Sequence, residues 1–139
     1  YKKTNSSVIA VNKIDKENIH KYGVINPGIK EHDAILIEDI IEKPKANEAP
    51  SNIAVCGRYI FTSLIFDHLE ATNFDKSGEI QLTDAIKSLI DNQKVYARLY
   101  DGEKFDCGSK KGFVHATIAL ALRDNSISKD ISKIIKEII

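Results

Sequence analysis

Glu42 and Lys43 stand at the end of an aliphatic run and are followed directly by Pro44. Proline lacks the backbone N–H that a sheet ladder needs, so the predicted strand ends at this point. Neighbouring residues of a strand point to opposite faces, but at a strand end a carboxylate and an ammonium can both reach one ligand. The pair therefore predicts a site for a polar ligand. A surface ion pair, which stabilises a fold very little, is the alternative interpretation.

The next apolar segment, residues 53–61, is almost continuously hydrophobic, as is typical of a strand buried on both faces. Gly57 interrupts it, and a glycine inside a strand often marks close approach by a ligand or another backbone segment. Arg58 follows on the opposite face of the strand, where we predict a structural ion pair.

Asp106 precedes Cys107 and Gly108, just before a predicted helix. A carboxylate at such a position can hold a hard divalent cation. The alternative is that Asp106 caps the helix that opens near Ser109. Asp84, beside the apolar stripe of an earlier helix, is predicted to be partly buried, either as a cap for a neighbouring loop or as a ligand contact. The sequence shows no metal-ligand spacing among its histidines, His20, His32, His68 and His115.

The composition fits one domain with a hydrophobic core, since 42% of the 139 residues are hydrophobic. The 20 basic and 20 acidic residues cancel, so no global field favours nucleic acid or an anionic membrane. No apolar run approaches the length of a membrane span. Cys56 and Cys107 show neither a metal nor a disulfide pattern, which predicts reduced thiols and a cytoplasmic location. The sequence contains no methionine, even at position 1, which predicts a piece of a longer protein.

Hydrophobic periodicity predicts strands at residues 8–11, 22–25, 33–41, 53–61 and 95–100, with a turn at 26–28. Helices are predicted near residues 64–69, 82–90 and 110–123 and from 128 onward, with one helical turn at 15–20. The third of these helices is alanine-rich and is predicted to be buried. The clearest helix carries one apolar stripe: Leu82, Ala85, Ile86, Leu89 and Ile90. This order predicts an α/β sheet that is incomplete on its N-terminal side.

Six segments, in matching order and spacing, resemble the bacterial UTP–glucose-1-phosphate uridylyltransferases, also called UDP-glucose pyrophosphorylases. They are Tyr22-Gly23-Val24, Glu42-Lys43-Pro44-Lys45, Ala49-Pro50-Ser51-Asn52, Val55 with Gly57-Arg58-Tyr59, Gly78-Glu79-Ile80-Gln81-Leu82-Thr83-Asp84-Ala85-Ile86, and Asp106-Cys107-Gly108. Glu-Lys-Pro alone suits any sugar-phosphate nucleotidylyltransferase. The fifth segment together with Asp-Cys-Gly points to the uridylyl branch. Ser109 departs from the family, which usually has asparagine there.

The resemblance implies the C-terminal half of a Rossmann-like nucleotidyltransferase mixed sheet with flanking helices. Residues 1–125 would form its sugar-phosphate-binding half, and residues 126–139 a C-terminal helix for a possible oligomer contact. The family's N-terminal half, with its glycine-rich nucleotide loop and one metal-binding aspartate, has no match in this sequence. That missing half, and further copies of the chain in a homo-oligomer, are the implied protein partners.

The implied reaction forms UDP-glucose and pyrophosphate from UTP and glucose 1-phosphate. Lys43 would hold the sugar phosphate as the catalytic residue, and Glu42 would accept hydrogen bonds from glucose hydroxyls. The backbone around Gly23 and Val55 would add sugar contacts. Asp106 would help to hold Mg²⁺ with the aspartate of the missing half.

Two alternatives remain open. One is a non-catalytic sugar-phosphate-binding or assembly fragment. The other is a thymidylyl- or cytidylyltransferase for a hexose 1-phosphate, since base choice is made in the missing half. We expect no uridylyl transfer by this chain alone. We also expect it to self-associate or to be only marginally stable, because a sheet cut between its halves exposes an unpaired strand edge.

Overall fold

The structure is a computed structural model that describes residues 1–75 and 77–138. The chain divides into two compact units, Tyr1–Asp101 and Gly102–Ile139. The predicted functional division into residues 1–125 and 126–139 stays a prediction. None of the helices in the described residues is both long enough and apolar enough to cross a membrane.

The first unit is built on a mixed sheet of five strands: β1 (Ser7–Lys13), β2 (Gly23–Glu31), β3 (Ala34–Glu42), β4 (Ile53–Ile60) and β5 (Val95–Leu99). Their spatial order is β1-β4-β2-β3-β5, and β5 also pairs with β1. The pairing of β1 with β5 is parallel, and the other four pairings are antiparallel. The predicted mixed sheet with flanking helices is therefore confirmed.

The sheet does not have the open edge that the sequence led us to expect. Among the described residues every strand pairs with two others, so the five strands close into a ring. Two of the pairings in this ring involve few residues. Val24 alone pairs with Ala54 between β2 and β4, and two residue pairs join β3 to β5. The expectation of a free edge was wrong because β5 pairs on both sides.

Helix α2 (Leu82–Ile90) packs against β3 and against α1 (Leu64–Ala71). The predicted apolar stripe is confirmed, since Ala85, Ile86 and Leu89 are buried and the two outer members are partly buried. A polar contact also joins the helix to the strand, because Lys87 Nζ lies 2.8 Å from Asp39 Oδ1. This packing fixes the start of α2 beside the end of β3. A short 3-10 helix, Lys16–Lys21, connects β1 to β2.

Strand β2 continues without a break through Asn26, Pro27 and Gly28, where the sequence predicted a turn. Its register with β3 shifts on both sides of Pro27, so the segment forms an irregular strand. A Cβ at Gly28 would lie 2.8 Å from the Glu38 side chain, which explains the glycine by close approach to the neighbouring strand. The turn lies instead between β2 and β3, where His32 has φ +55.

Strand β4 is buried over its first half alone. Ile53, Ala54 and Val55 are buried, whereas Tyr59 and Ile60 are exposed. The prediction of burial on both faces was wrong, because the apolar sequence run extends beyond the part of the strand that other elements cover.

The second unit consists of α3 (Lys110–Arg123) packed against α4 (Ser128–Ile138). Ser109 caps α3, since its hydroxyl oxygen accepts the Gly112 N–H at 3.0 Å. Among the described residues of α3, Ala116 alone is buried. The prediction that this helix is buried was therefore wrong.

Candidate functional site

Three of the predicted sugar-binding residues form one row across the sheet. The pairing of β2 with β3 places Gly23 opposite Glu42. The pairing of β2 with β4 is antiparallel with Val24 opposite Ala54, and this register places Gly23 opposite Val55. The sheet therefore brings together residues that are far apart in the sequence, in the order β4, β2, β3.

The Glu42 carboxylate, at the end of this row, has a partner on each oxygen. Oε2 accepts a hydrogen bond from the Thr83 hydroxyl at 2.6 Å, and Oε1 lies 3.2 Å from Lys43 Nζ. The Glu42 side chain is largely buried, whereas more than half of the Lys43 side chain is exposed. The arrangement presents a held carboxylate beside an exposed ammonium.

Lys43 has a left-handed backbone conformation, with φ +45, which is uncommon for a residue other than glycine. Its N–H donates to the Tyr22 carbonyl at 3.1 Å, and the next residue, Pro44, is buried. Backbone conformations of this kind persist where the surroundings impose them, and they concentrate at functional sites. This backbone conformation places the Lys43 ammonium beside the carboxylate of Glu42.

Gly23 lies against the hydrogen bond between Glu42 and Thr83. A Cβ built on Gly23 would lie 3.2 Å from Glu42 Oε2 and 3.3 Å from Thr83 Oγ1. A side chain at this position would push on both partners. The glycine thus leaves the space in which they meet.

Thr83 was not among the predicted site residues, although it lies inside the segment that resembles the uridylyltransferases. It occupies the first turn of α2, three residues before the buried Ile86. Residues three apart on a helix share a side, so this spacing is a sequence signal that could have placed Thr83 beside the buried face.

Tyr59 is a second residue that the sequence did not indicate as functional. Its side chain reaches solvent, but partial burial of the phenol raises its pKa, and the negative charge of Glu42 raises that pKa further. Tyr59 also stacks on Phe61, with ring centroids 5.2 Å apart. Tyr59 thus belongs to an aromatic pair near the end of β4.

Asp106, the predicted metal ligand, lies in the second unit and is exposed. Its Oδ1 accepts the Gly108 N–H at 3.2 Å, and its carbonyl accepts the Ser109 N–H at 3.3 Å. Ser109 is the helix cap, so the alternative role of Asp106 as that cap is wrong. The described residues hold no cluster of three or more metal-ligating side chains. Mg²⁺ is commonly held by one or two carboxylates together with substrate phosphates, so Asp106 fits as one ligand of such a site.

Two further polar residues differ from their predictions. Asp84 is exposed rather than partly buried, and it lines a polar hollow of about 330 Å³. Arg58 forms no ion pair within the described part of the chain. Its guanidinium donates instead to the Gly57 carbonyl at 3.3 Å.

Asp75 organises the loop that leads into α2. Its carboxylate accepts hydrogen bonds from the Ser77 hydroxyl and N–H, the Glu79 N–H and the Gln81 side-chain amide, at 2.6 to 3.0 Å. These donors, the Ser77 hydroxyl above all, hold the pKa of Asp75 well below its usual range. Its sequence context, a polar loop ending in glycine, gave no sign of this role.

Comparisons with known proteins show which family this chain resembles in sequence and in fold. A family model described as "Nucleotidyl transferase" matches residues 1–122. The UTP–glucose-1-phosphate uridylyltransferase of Staphylococcus epidermidis is 44% identical over 99% of this chain, which covers 48% of that relative. A UDP-glucose pyrophosphorylase solved with UDP-glucose matches 86% of this chain and 46% of its own, with a TM-score of 0.81 and 39% identity. The enzyme from Acinetobacter baumannii matches all of this chain and 48% of its own, with a TM-score of 0.84 and 31% identity. The chain thus spans about half the length of the relatives it matches.

Proposed function

This chain belongs to the nucleotidyl transferase family, and we propose that it supplies the sugar-phosphate-binding half of a UTP–glucose-1-phosphate uridylyltransferase. The support comes from two directions. The relatives that align with nearly the whole chain carry that name. Three of the segments that resemble them contribute Gly23, Glu42 and Val55 to the row, and a fourth contributes Thr83 beside it.

The observation that carries the proposal is the held carboxylate of Glu42 beside the exposed ammonium of Lys43. A carboxylate accepts hydrogen bonds and is suited to sugar hydroxyls. An ammonium attracts a phosphate. The Coulomb energy of a unit charge pair about 4 Å apart is about 4 kcal/mol at an effective dielectric constant near 20. One site thus offers both functions that a sugar phosphate requires. The backbone at Gly23 and Val55 adds contacts with the sugar.

The proposed reaction is attack by a phosphate oxygen of glucose 1-phosphate on the α-phosphorus of UTP. The new P–O bond gives UDP-glucose, and the bond to the β-phosphate breaks with release of pyrophosphate. Negative charge crowds between the two phosphates, and Lys43 offsets it from the sugar-phosphate side. Mg²⁺, when bound, supplies further positive charge to the phosphates. Asp106 is the residue of this chain that we propose to hold it.

The other partners follow from the same proposal. The UTP phosphates and the base are bound by the N-terminal half that this chain does not match, so transfer requires both halves. The protein is a cytoplasmic homo-oligomer with small-molecule substrates and without a nucleic-acid or membrane partner. The apolar side of α4 is its oligomer contact.

The test is a coupled pyrophosphate-release assay on the full-length protein with Mg²⁺, glucose 1-phosphate and UTP, repeated with dTTP and CTP. We expect release with UTP well above the other two nucleotides. A preference for dTTP or CTP would instead support a thymidylyl- or cytidylyltransferase. Binding of glucose 1-phosphate in calorimetry without turnover would support the non-catalytic module. Activity that appears on mixing this chain with a separately made N-terminal half would rule that module out.

A further inference from the structure

We propose that Thr83 is a positioning residue, whose hydroxyl fixes the Glu42 carboxylate in the orientation that recognises the sugar hydroxyls. This inference rests on the proposed function. It adds a residue on a helix to a site that the sequence located on strands and loops.

The hydrogen bond between Thr83 and Glu42 has a defined direction. An ionised carboxylate can only accept, so the Thr83 hydroxyl donates its proton to Oε2. The distance of 2.6 Å is that of a short, charge-assisted hydrogen bond. Both side chains are partly buried, so water competes less for either partner. The contact joins residues that are 41 positions apart.

The two oxygens of Glu42 have partners of different kinds. Oε2 is held by an uncharged group on a helix, while Oε1 faces an ammonium at the end of a long, exposed side chain. When Lys43 turns to a phosphate, Oε1 becomes available to a sugar hydroxyl. Thr83 keeps the carboxylate in place during that exchange.

The position of the Thr83 hydroxyl is itself fixed by the fold. Thr83 lies in the first turn of α2, and three residues of this helix, Ala85, Ile86 and Leu89, are buried in the core. The ion pair of Lys87 with Asp39 adds a second attachment of the helix to β3. The β-branch of a threonine limits its side chain to about two χ1 rotamers in a helix, and the hydrogen bond to Glu42 selects between them. A site residue is held accurately when its support is rigid in this way.

Gly23 keeps the space around this hydrogen bond clear. A Cβ there would lie 3.3 Å from Thr83 Oγ1 and 3.6 Å from Thr83 Cγ2. The hydroxyl and the methyl group of Thr83 both pack against a backbone that carries no side chain.

The first experiment compares two substitutions in the full-length protein. Thr83→Val keeps the shape and removes the hydroxyl, while Thr83→Ser keeps the hydroxyl. We expect the KM for glucose 1-phosphate to rise about 10- to 100-fold in Thr83→Val, the usual effect of one hydrogen bond to a charged group. In Thr83→Ser we expect the KM for glucose 1-phosphate to stay within about threefold of the wild-type value. In both variants the KM for UTP should stay within about twofold of the wild-type value.

The matched control is Thr72→Val. Thr72 is also partly buried, but its hydroxyl donates to the His68 carbonyl at 2.6 Å, away from Glu42. We expect wild-type values of both KM constants in this variant. A Thr83→Val protein with a wild-type KM for glucose 1-phosphate would overturn the proposal, as would an equal loss in Thr83→Ser.

The second experiment separates this inference from the proposed function. Crystal structures of Thr83→Val and Thr83→Ser show the orientation of Glu42 whatever the substrate is. We expect the carboxylate to turn away from its wild-type position in the valine variant and to keep it in the serine variant. An unchanged carboxylate in Thr83→Val refutes the positioning role. Absence of UDP-glucose formation by the wild-type protein removes the proposed function and leaves this structural comparison readable.

Discussion

The Lys43 ammonium lies 3.2 Å from the carboxylate of its own sequence neighbour, Glu42. Adjacent residues inside a strand point to opposite faces, and such a pair could not meet there. The contact forms because β3 ends at Glu42 and the backbone of Lys43 takes φ +45. The left-handed backbone of Lys43 at this strand end therefore creates the charge arrangement of the candidate site.

Replacement of this lysine tests its role directly. We expect Lys43→Ala to reduce uridylyl transfer by the full-length protein by two orders of magnitude or more, about the loss seen when one electrostatic stabiliser is removed from an active site. The thermal midpoint stays close to the wild-type value, since exposed ion pairs contribute about 0–1 kcal/mol.

The control for that experiment is Lys45→Ala. Lys45 pairs with Glu48 at 3.3 Å, and both side chains are exposed. Its loss leaves turnover unchanged. Steady-state kinetics and thermal melting of both variants give the answer, and near-normal turnover in Lys43→Ala would remove Lys43 from the site.

Two glycine substitutions separate binding from stability. Gly23→Ala places a Cβ about 3.2 Å from Glu42 Oε2, so we expect the KM for glucose 1-phosphate to rise about tenfold with a small change in stability. Gly57 has φ +76, and a Cβ there meets no atom within 4 Å. Gly57→Ala therefore lowers the free energy of unfolding by roughly 1–2 kcal/mol through backbone strain.

The KM for glucose 1-phosphate and the denaturant unfolding curve are measured for Gly23→Ala and for Gly57→Ala. We expect the first variant to change mainly the KM and the second mainly the free energy of unfolding. The explanation by close approach at Gly23 fails if Gly23→Ala binds glucose 1-phosphate as the wild type does.

The loop before α2 gives a pH-dependent prediction. Hydrogen bonds lower the folded-state pKa of Asp75, so its charged form stabilises the fold. This contribution is complete above the unfolded-state pKa, about 3.9, and is lost progressively as the pH falls from there through the folded-state value. We therefore expect Asp75→Ala to melt at a lower temperature than the wild type at pH 7, with a difference that shrinks below about pH 4.

A graded control for Asp75 is available in the same loop. Ser77→Ala removes one donor and leaves the contacts of Asp75 with the Glu79 N–H and the Gln81 amide. Its melting temperature should lie between those of the wild type and Asp75→Ala at pH 7. Thermal melting of the three proteins, followed by circular dichroism at pH 7 and at pH 3, tests this. A melting-temperature difference between wild type and Asp75→Ala that is larger at pH 3 than at pH 7 would contradict the prediction.

The apolar side of α4 gives a prediction about assembly. None of the described residues of α4 is buried, and Ile134 and Ile138 are 48% and 79% exposed. Exposed apolar surfaces of this kind favour association. We expect Ile134→Glu to lower the oligomer fraction, measured by light scattering after size exclusion.

Lys136→Gln is the matched control for that variant, because it changes the net charge by the same amount on the same helix. We expect it to leave the oligomer fraction unchanged. A wild-type protein that remains monomeric at all concentrations would refute the proposed contact.

Local patterns in the sequence were sufficient for several features of this protein. The stripe on α2 follows from the helical period, and the end of β3 follows from Pro44, because both depend on residues close together in the chain. The residue types at Glu42 and Lys43 predicted a site for a polar ligand, and the resemblance to the uridylyltransferases alone implied that the ligand is a sugar phosphate. Local composition misled at Pro27, where pairing with β3 keeps an irregular strand in place of a turn.

The tertiary structure alone decided which of these residues meet. Strand register places Val55, Gly23 and Glu42 in one row, and the packing of α2 on β3 brings Thr83 to within 2.6 Å of Glu42. Both relationships join residues dozens of positions apart. They depend on how buried surfaces fit together, which a periodic pattern within one segment does not specify. The closure of the ring by β5 has the same cause, because a strand sequence does not encode its two partners.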